Sequence, residues 1–414
     1  MLSLHPLMLK NERFLLFTLA AINFTNIMDF MIMMPLGPQL MRLFSITPQQ
    51  FGLIVSSYTF SAGTSGLLAT FFIDRFDRKS ALRFFFVGFI AGTFACGLAQ
   101  GYGQLVVARV FTGMFGGILG ALVLSIIADV IPMERRGTAM GILTSGFSVA
   151  SVFGVPFGLF IANQSDWHAP FLFLGAVGCV IFYFIHKFVP QVNEHIQSKD
   201  DRPDPLQVIT AIVTDAEQVK ALVLMMALML GHFCIVPFIS PYMVANVGFS
   251  DGDLTYIYLI GGAFTIFTSP LIGKWSDQYG KLKIFTLFVI LCWIPAIGIT
   301  HMPRIPLVAA LAVTSLFFIF SGGRFIPAQA MVSGVVKPAT RGSFMSFSSS
   351  MQQMMAGVAS YLAGVMVTKA PDGTLQGYNY VGYVSVALTL LCIFLAHRLR
   401  VKEGGEVTVK PEEM

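Results

Sequence analysis

Twelve apolar runs, each about as long as a membrane-crossing helix, dominate this sequence. A helix needs about 20 apolar residues to cross the hydrocarbon core of a bilayer. Only 11% of the 414 residues are charged, whereas roughly a quarter are charged in a soluble domain. The pattern predicts an all-α membrane protein with twelve transmembrane helices. The expected spans lie near 14–39, 50–73, 80–99, 104–130, 138–163, 169–189, 220–246, 254–273, 284–300, 306–332, 342–367 and 378–397.

The distribution of lysine and arginine predicts how these spans are oriented, because cytoplasmic loops carry an excess of both residues. With the N-terminus inside, 21 of the 26 Lys and Arg residues fall in cytoplasmic segments and three fall on the opposite side. The remaining two, Arg109 and Arg324, lie within spans. We therefore expect both termini in the cytoplasm.

Two pairs of matching loop segments indicate an internal duplication. Asp74 after span two corresponds to Asp277 after span eight, at an offset of 203 residues. Arg136 after span four corresponds to Arg341 after span ten, at an offset of 205. Parallel repeats of this kind meet at an axis along the membrane normal, with the substrate site near the midplane. We expect two six-helix pseudo-symmetric bundles, at 1–189 and 220–400, with a cytoplasmic linker at 190–219 and a cytoplasmic tail at 401–414.

The loop after span two carries a recognisable motif. It reads TFFIDRFDRK, in which Asp74, Arg75, Arg78 and Lys79 match the pattern G-x-x-x-D-R-x-G-R-K/R of the major facilitator superfamily. The chain resembles this family over nearly its whole length, and it looks most like the twelve-span drug:proton antiporter and sugar-efflux branch. Further matches are Arg109 and Gly113 in span four, and Asp29, Pro35, Leu36 and Pro38 in span one. Gly154, Pro156 and Gly158 match the span-five motif in part, since no glycine there adjoins the proline.

The resemblance and the repeat together predict a conformational lock at the cytoplasmic ends of the spans. A helix N-terminus carries roughly half a positive charge, so Asp74 is expected at the start of span eleven. The resemblance implies that Arg78 pairs with Asp129, and the repeat places Asp277 at the start of span five. The alternative is that these are ordinary loop charges. The lock candidates are Asp74, Arg75, Arg78, Asp129, Arg136, Asp277 and Arg341.

Four ionisable residues lie inside spans and are candidates for proton coupling: Asp29, Arg109, His232 and Arg324. A charge near the bilayer centre is costly, so it usually faces a cavity or a partner. A carboxyl in a low-dielectric cavity binds a proton more readily than one in water. The alternative for Asp29 is a structural pairing with Arg109. Arg324 could bind an anionic substrate group, pair with Asp29 in one state, or extend to the interface.

Uncharged polar residues at helical spacing mark a possible substrate cavity. Ser and Gln also form hydrogen bonds between membrane helices, so a structural role stays open for them. The cavity candidates are Asn23 and Asn26 in span one, Tyr58 and Ser61 in span two, and Ser346, Ser350 and Gln353 in span eleven.

A secondary transporter is the function that these features favour. We expect proton-coupled export of a small organic compound, such as a drug, sugar or nucleoside, across a bacterial inner membrane. Proton-coupled uptake, uniport and a lysophospholipid carrier are the alternatives. No catalytic motif of an enzyme, nucleotide-binding loop or nucleic-acid module is recognisable, and the five cysteines lack metal-ligand spacing. We therefore expect no enzyme activity, no metal, no cofactor besides the proton, and a monomer whose partners are its substrate and lipid.

Overall fold

The computed structural model describes residues 10–192, 205–336 and 340–399, and these residues are almost entirely helical. The first part contains α1 (Lys10–Ile32), α2 (Gly37–Leu43), α3 (Pro48–Ala69), a 3₁₀ turn (Ile73–Arg75), α4 (Arg78–Gly97), α5 (Tyr102–Val130), α6 (Met133–Val149), α7 (Val155–Gln164) and α8 (Ala169–Phe188). The second contains α9 (Pro205–Thr214), α10 (Ala216–Tyr242), α11 (Asp251–Tyr279), α12 (Lys281–Thr300), α13 (Leu307–Val335), α14 (Arg341–Met366) and α15 (Tyr378–His397), with strands β1 (Thr368–Lys369) and β2 (Leu375–Gln376) before α15.

These elements form twelve rods, as the sequence predicts. In the described part, nine helices are both long and apolar enough to cross a membrane. The other three rods are α3, α14 and the joined helix 133–164. They are more polar because they pack against other helices between the two bundles. Helices α3 and α14 pack along each other, and the middle of 133–164 packs against α11. Helix α9 lies within the segment 190–219 that the sequence predicts as the linker.

The first span is shorter than expected. We expected a helix through residue 39, but α1 ends at Ile32 and a turn separates it from α2. Pro35 has no N–H to donate and disfavours a helical conformation in the residue before it. Pro38 instead occupies the first turn of α2, where a missing N–H costs little. The two prolines thus divide one predicted span into a membrane helix and a short cap.

The fifth span is continuous but contains a π-helical segment at Ala150–Gly154. The N–H of Val155 donates to the carbonyl of Ala150, five residues back. Pro156 lies next in the chain and cannot donate, so widening the helix here accommodates the proline without breaking the rod. A second π-helical segment, Met243–Val247, extends α10 after its internal Pro237 and Pro241.

The loop motif and its repeat turn in different ways. In the first copy, Asp77 caps α4 by accepting a hydrogen bond from the Ser80 N–H at 2.8 Å. Burial would raise the pKa of Asp77, but this bond and one from the Val192 N–H hold that pKa below its ordinary value. In the second copy, Gly280 makes the turn with φ of +96°, a conformation that favours glycine. Asp77 therefore replaces a motif glycine without loss of the turn.

The hydrophobic core divides at one face of the molecule and is shared at the other. We call the face where α1 begins and α15 ends the termini face, and the opposite one the far face. Towards the termini face, one cluster contains only residues of 15–189 and another only residues of 212–396. Towards the far face, a single cluster joins residues of both bundles. The bundles are thus sealed together at the far face. The boundaries predicted at 189, 219 and 400 stay predictions, and residues 193–204 and 400–414 lie outside the described part.

Candidate functional site

A fully buried ion pair lies inside the first bundle. Arg109 on α5 donates through Nη1 to Asp29 Oδ2 on α1 at 2.6 Å, and to the Asp29 backbone carbonyl at 3.2 Å. Thr93 on α4 donates to Asp29 Oδ1 at 3.1 Å. Both charged side chains are 0% exposed. Three helices therefore meet at one carboxylate in a site that excludes water.

Tyr58 on α3 completes this cluster. The guanidinium carbon of Arg109 lies 4.3 Å from the centre of the Tyr58 ring, a favourable cation–π distance. The Tyr58 hydroxyl donates to Asn26 Oδ1 at 2.6 Å, and Asn26 Nδ2 donates to the Gly116 carbonyl at 2.9 Å. Two of the predicted cavity residues, Tyr58 on α3 and Asn26 on α1, therefore belong to the contacts around the ion pair.

Glycine lets α5 approach α3 this closely. A Cβ on Gly113, four residues after Arg109, would overlap the Tyr58 carbonyl and the Ser61 hydroxyl. The R-x-x-x-G spacing places the arginine and this contact on one face of α5, because residues four apart are neighbours on a helix. The motif thus sets the distance between Arg109 and the Tyr58 ring.

The other two proton-coupling candidates lie in the second bundle and do not contact Asp29. His232 on α10 shares a hydrogen bond of 2.9 Å with the Ser321 hydroxyl on α13. Its ring stacks on Phe317 and meets Phe325 edge-on. Arg324 on α13 is 2% exposed, and its Nε and Nη2 have no hydrogen-bond partner among the described residues.

A chain of aromatic rings connects the ion pair to the second bundle. Phe30 stacks on Tyr58 at 5.5 Å between centroids and contacts Phe233 of α10 at 5.7 Å. Phe233 in turn meets His232 edge-on at 5.1 Å. The charged cluster is therefore in physical contact with the inter-bundle interface through Tyr58 and Phe30.

The remaining cavity candidates do not gather at one place. Asn23 donates to the Leu143 carbonyl at 3.1 Å, and Ser61 donates to the Tyr58 carbonyl at 2.9 Å. Ser350 is buried against Gly63 and Gly66 of α3. Ser346 and Gln353 are half-buried on α14. Their role in substrate binding stays a prediction.

The predicted lock residues are only partly engaged. Arg78 Nε donates to Asp129 Oδ2 at 3.1 Å, so that expected pair forms. Arg136 donates to the carbonyls of Ile131 and Ala128 at the end of α5. Asp277 is exposed and makes no ion pair with any described residue. Arg75 and Arg341 are also exposed, and the Asp74 side chain lies outside the described part. The lock itself stays a prediction.

Sequence reasoning missed Thr93 and a set of contacts between the bundles at the far face. Arg42 of α2 forms an ion pair with Asp251 at the start of α11. Asn163 at the end of α7 donates to the Asp251 carbonyl at 3.3 Å and accepts from Gln39 at 3.0 Å. These residues lie at the ends of helices that are far apart in the sequence, so no local pattern indicates that they meet.

The family model of the Major Facilitator Superfamily matches residues 19–323 and 221–414. The chain belongs to this superfamily. A probable sugar efflux transporter of Helicobacter pylori (strain P12) is 23% identical over 94% of this chain and 95% of its own. YtbD, an MFS-type transporter of Bacillus subtilis (strain 168), is 28% identical over 58% of this chain and 59% of its own. The crystal structure of a D-xylose–proton symporter superposes with a TM-score of 0.77 at 15% identity, covering 95% of this chain and 99% of that one.

These similarities agree with the fold predicted from the sequence. The chain is a membrane-embedded transporter of small molecules and not an enzyme. Its twelve rods and two bundles correspond to the fold of this superfamily. The buried cluster of Asp29, Arg109, Thr93 and Tyr58 is the part of the first bundle with the most distinctive chemistry.

Proposed function

We propose that this protein exports a small organic compound in exchange for protons, by alternating access between the two membrane faces. The observation that carries the proposal is the fully buried Asp29–Arg109 pair. The full-length similarity to a probable sugar efflux transporter supports export as the direction. The proposal includes both termini in the cytoplasm, an inner-membrane location and a monomeric carrier divided at residues 189 and 219.

The division of the hydrophobic core supports alternating access. The far-face cluster joins both bundles, while the termini-face clusters are separate. This arrangement fits a carrier that is closed at the far face and open towards the predicted cytoplasm, ready to receive an exported compound.

Asp29 is the residue that we assign to proton binding. A proton on this carboxyl removes its charge and with it the attraction that joins α1 to Arg109 on α5. Because the carboxyl is 0% exposed, it can exchange a proton only after these helices move. Proton exchange and helix movement are thereby linked, which is what coupling requires. The rings of Tyr58 and Phe30 transmit the movement to the interface with α10.

Proton movement in proteoliposomes tests this proposal. The internal pH is followed with a trapped dye while drugs, sugars and nucleosides are added to wild type and Asp29→Asn. We expect a substrate-dependent proton flux in wild type, opposite in direction to the substrate, and its loss in Asp29→Asn.

Asp372→Asn is the matched control, since it makes the same chemical change at an exposed residue before β2 and should transport as wild type. A proton flux in the same direction as the substrate would show symport in place of the proposed exchange with protons. Substrate transport without any proton flux, unchanged in Asp29→Asn, would contradict the proposal and leave Asp29 as a structural residue.

A further inference from the structure

The second bundle contains a buried positive charge with no opposite charge near it. Arg324 is 2% exposed, like the paired arginine of the first bundle. It forms no ion pair with any described residue. Helices α12, α13, α14 and α15 contain no Asp or Glu, and those of α10 and α11 lie near the helix ends. The described helices of the second bundle therefore supply no carboxylate at the depth of Arg324.

The groups around Arg324 are neutral or weakly polar. His232, Cys292 and Cys392 lie within electrostatic range of its guanidinium, on α10, α12 and α15. The Phe325 ring centre lies 5.8 Å from the guanidinium carbon. His232 and Phe325 are only half-buried, so the cluster borders accessible space.

The two unpaired donors of Arg324 lie on one edge of its guanidinium. Nε–H and the adjacent Nη2–H point the same way, at the spacing of the two oxygens of a carboxylate. The same edge of Arg109 is also without a partner, but there Asp29 balances the charge. A buried cation that nothing balances is strongly unfavourable, so an anion that arrives with the substrate would bind this edge well.

We propose that Arg324 binds the carboxylate of the transported compound, so that the substrates of this carrier are organic acids such as sugar acids rather than neutral sugars. The inference rests on the proposed transport function and specifies its substrate class. A continuous series of rings, running from Phe325 through His232, Phe233, Phe30 and Tyr58, connects this anion site to the Asp29–Arg109 pair. An organic acid at Arg324 and a proton at Asp29 would thus act on the same interface.

Binding to the purified protein tests the assignment with two matched pairs of probes: D-glucuronate against D-glucose, and benzoate against benzyl alcohol. We expect a carboxylate to bind wild type at least tenfold more tightly than its neutral counterpart. Arg324→Gln should abolish that preference. Arg324→Lys keeps the charge but loses the paired donors, so it should fold and bind the carboxylate several-fold more weakly. Arg304→Gln, in an exposed loop, is the control and should bind as wild type.

Four outcomes would overturn the assignment. Wild type could bind acids and neutral compounds equally, or bind neither carboxylate. The preference for carboxylates could persist in both Arg324 variants, or chloride could bind wild type as tightly as the carboxylates do. The failure of the proposed function gives a different result. If carboxylates bind and cross the membrane without proton movement, Arg324 keeps its role and proton coupling is wrong. If neutral compounds exchange with protons in Arg324→Gln, the coupling stands and the carboxylate site is wrong.

Discussion

The Asp29–Arg109 pair shows how two buried charges, each unfavourable alone, can be tolerated together. Removing a charge from water costs several kcal/mol even after the protein relaxes, and only a close, well hydrogen-bonded partner offsets that cost. The 2.6 Å contact, the Thr93 hydroxyl and the Tyr58 ring supply this compensation. The sequence singled out both residues from their depth in the spans. Pairing with Arg109 was one of the alternatives that the sequence raised for Asp29. The contribution of Thr93 depends on how the helices pack, which no local pattern specifies.

A double-mutant cycle tests this pairing. We expect Arg109→Gln to lower the thermal stability of the solubilised protein, since breaking a buried pair costs roughly 3–5 kcal/mol when one charge is left behind. Adding Asp29→Asn should recover part of the loss, because it removes the abandoned carboxylate. The apparent Tm of each single variant and of the double variant is the measurement. Strictly additive losses would show that the two side chains do not stabilise each other.

At the scale of the elements, hydropathy predicts where helices cross the membrane but not how they end or bend. The spans near 50–73 and 342–367 are correct despite their polarity, because the polar residues follow helical spacing. The end of α1 at Ile32 was missed because residues 33–38 contain no charged or strongly polar side chain that would interrupt the apolar run. The π-helical segments were missed because widening a helix changes its hydrogen bonds and leaves its composition unchanged.

The far-face contacts form a gate that should respond to a single charge change. The Arg42 and Asp251 side chains are 51% and 26% exposed, so their pair contributes about 0.2–1 kcal/mol. Its loss in Asp251→Asn should therefore open the far face up to about fivefold more often. The readout is the labelling of a Ser360→Cys reporter by an impermeant maleimide that is added at the far face. Ser360 is buried against Gly52. Labelling of the same protein without the reporter is subtracted as background.

Asp253→Asn is the matched control for the gate. Asp253 lies in the first turn of the same helix, but its hydrogen bonds stay within the Ser250 cap. Its replacement should leave the labelling rate unchanged. Equal labelling of Ser360→Cys in wild type and Asp251→Asn would show that the shared hydrophobic cluster closes the far face without the ion pair.

At the scale of the whole molecule, the two bundles have matching architectures and different chemistry. Asp29 of the first bundle corresponds to His232 of the second at the repeat offset of 203. The first bundle balances its buried arginine internally, while Arg324 of the second has no ion-pair partner among the residues that the structure describes. Duplication made the twelve-helix fold predictable from the sequence. The closed far face was not predictable, because it depends on packing between bundles that the repeat does not encode.

The most direct test of the account separates exchange from accumulation. Proteoliposomes containing wild type or Asp29→Asn are assayed for exchange of a labelled transported compound at equal pH on both sides, and for its accumulation against a gradient when a pH difference is imposed. The neutral side chain in Asp29→Asn permits helix movement but binds no proton. This variant should therefore preserve exchange and abolish accumulation. Wild type should show both activities. Accumulation by Asp29→Asn at the wild-type rate would contradict the account, because the driving proton would then bind elsewhere.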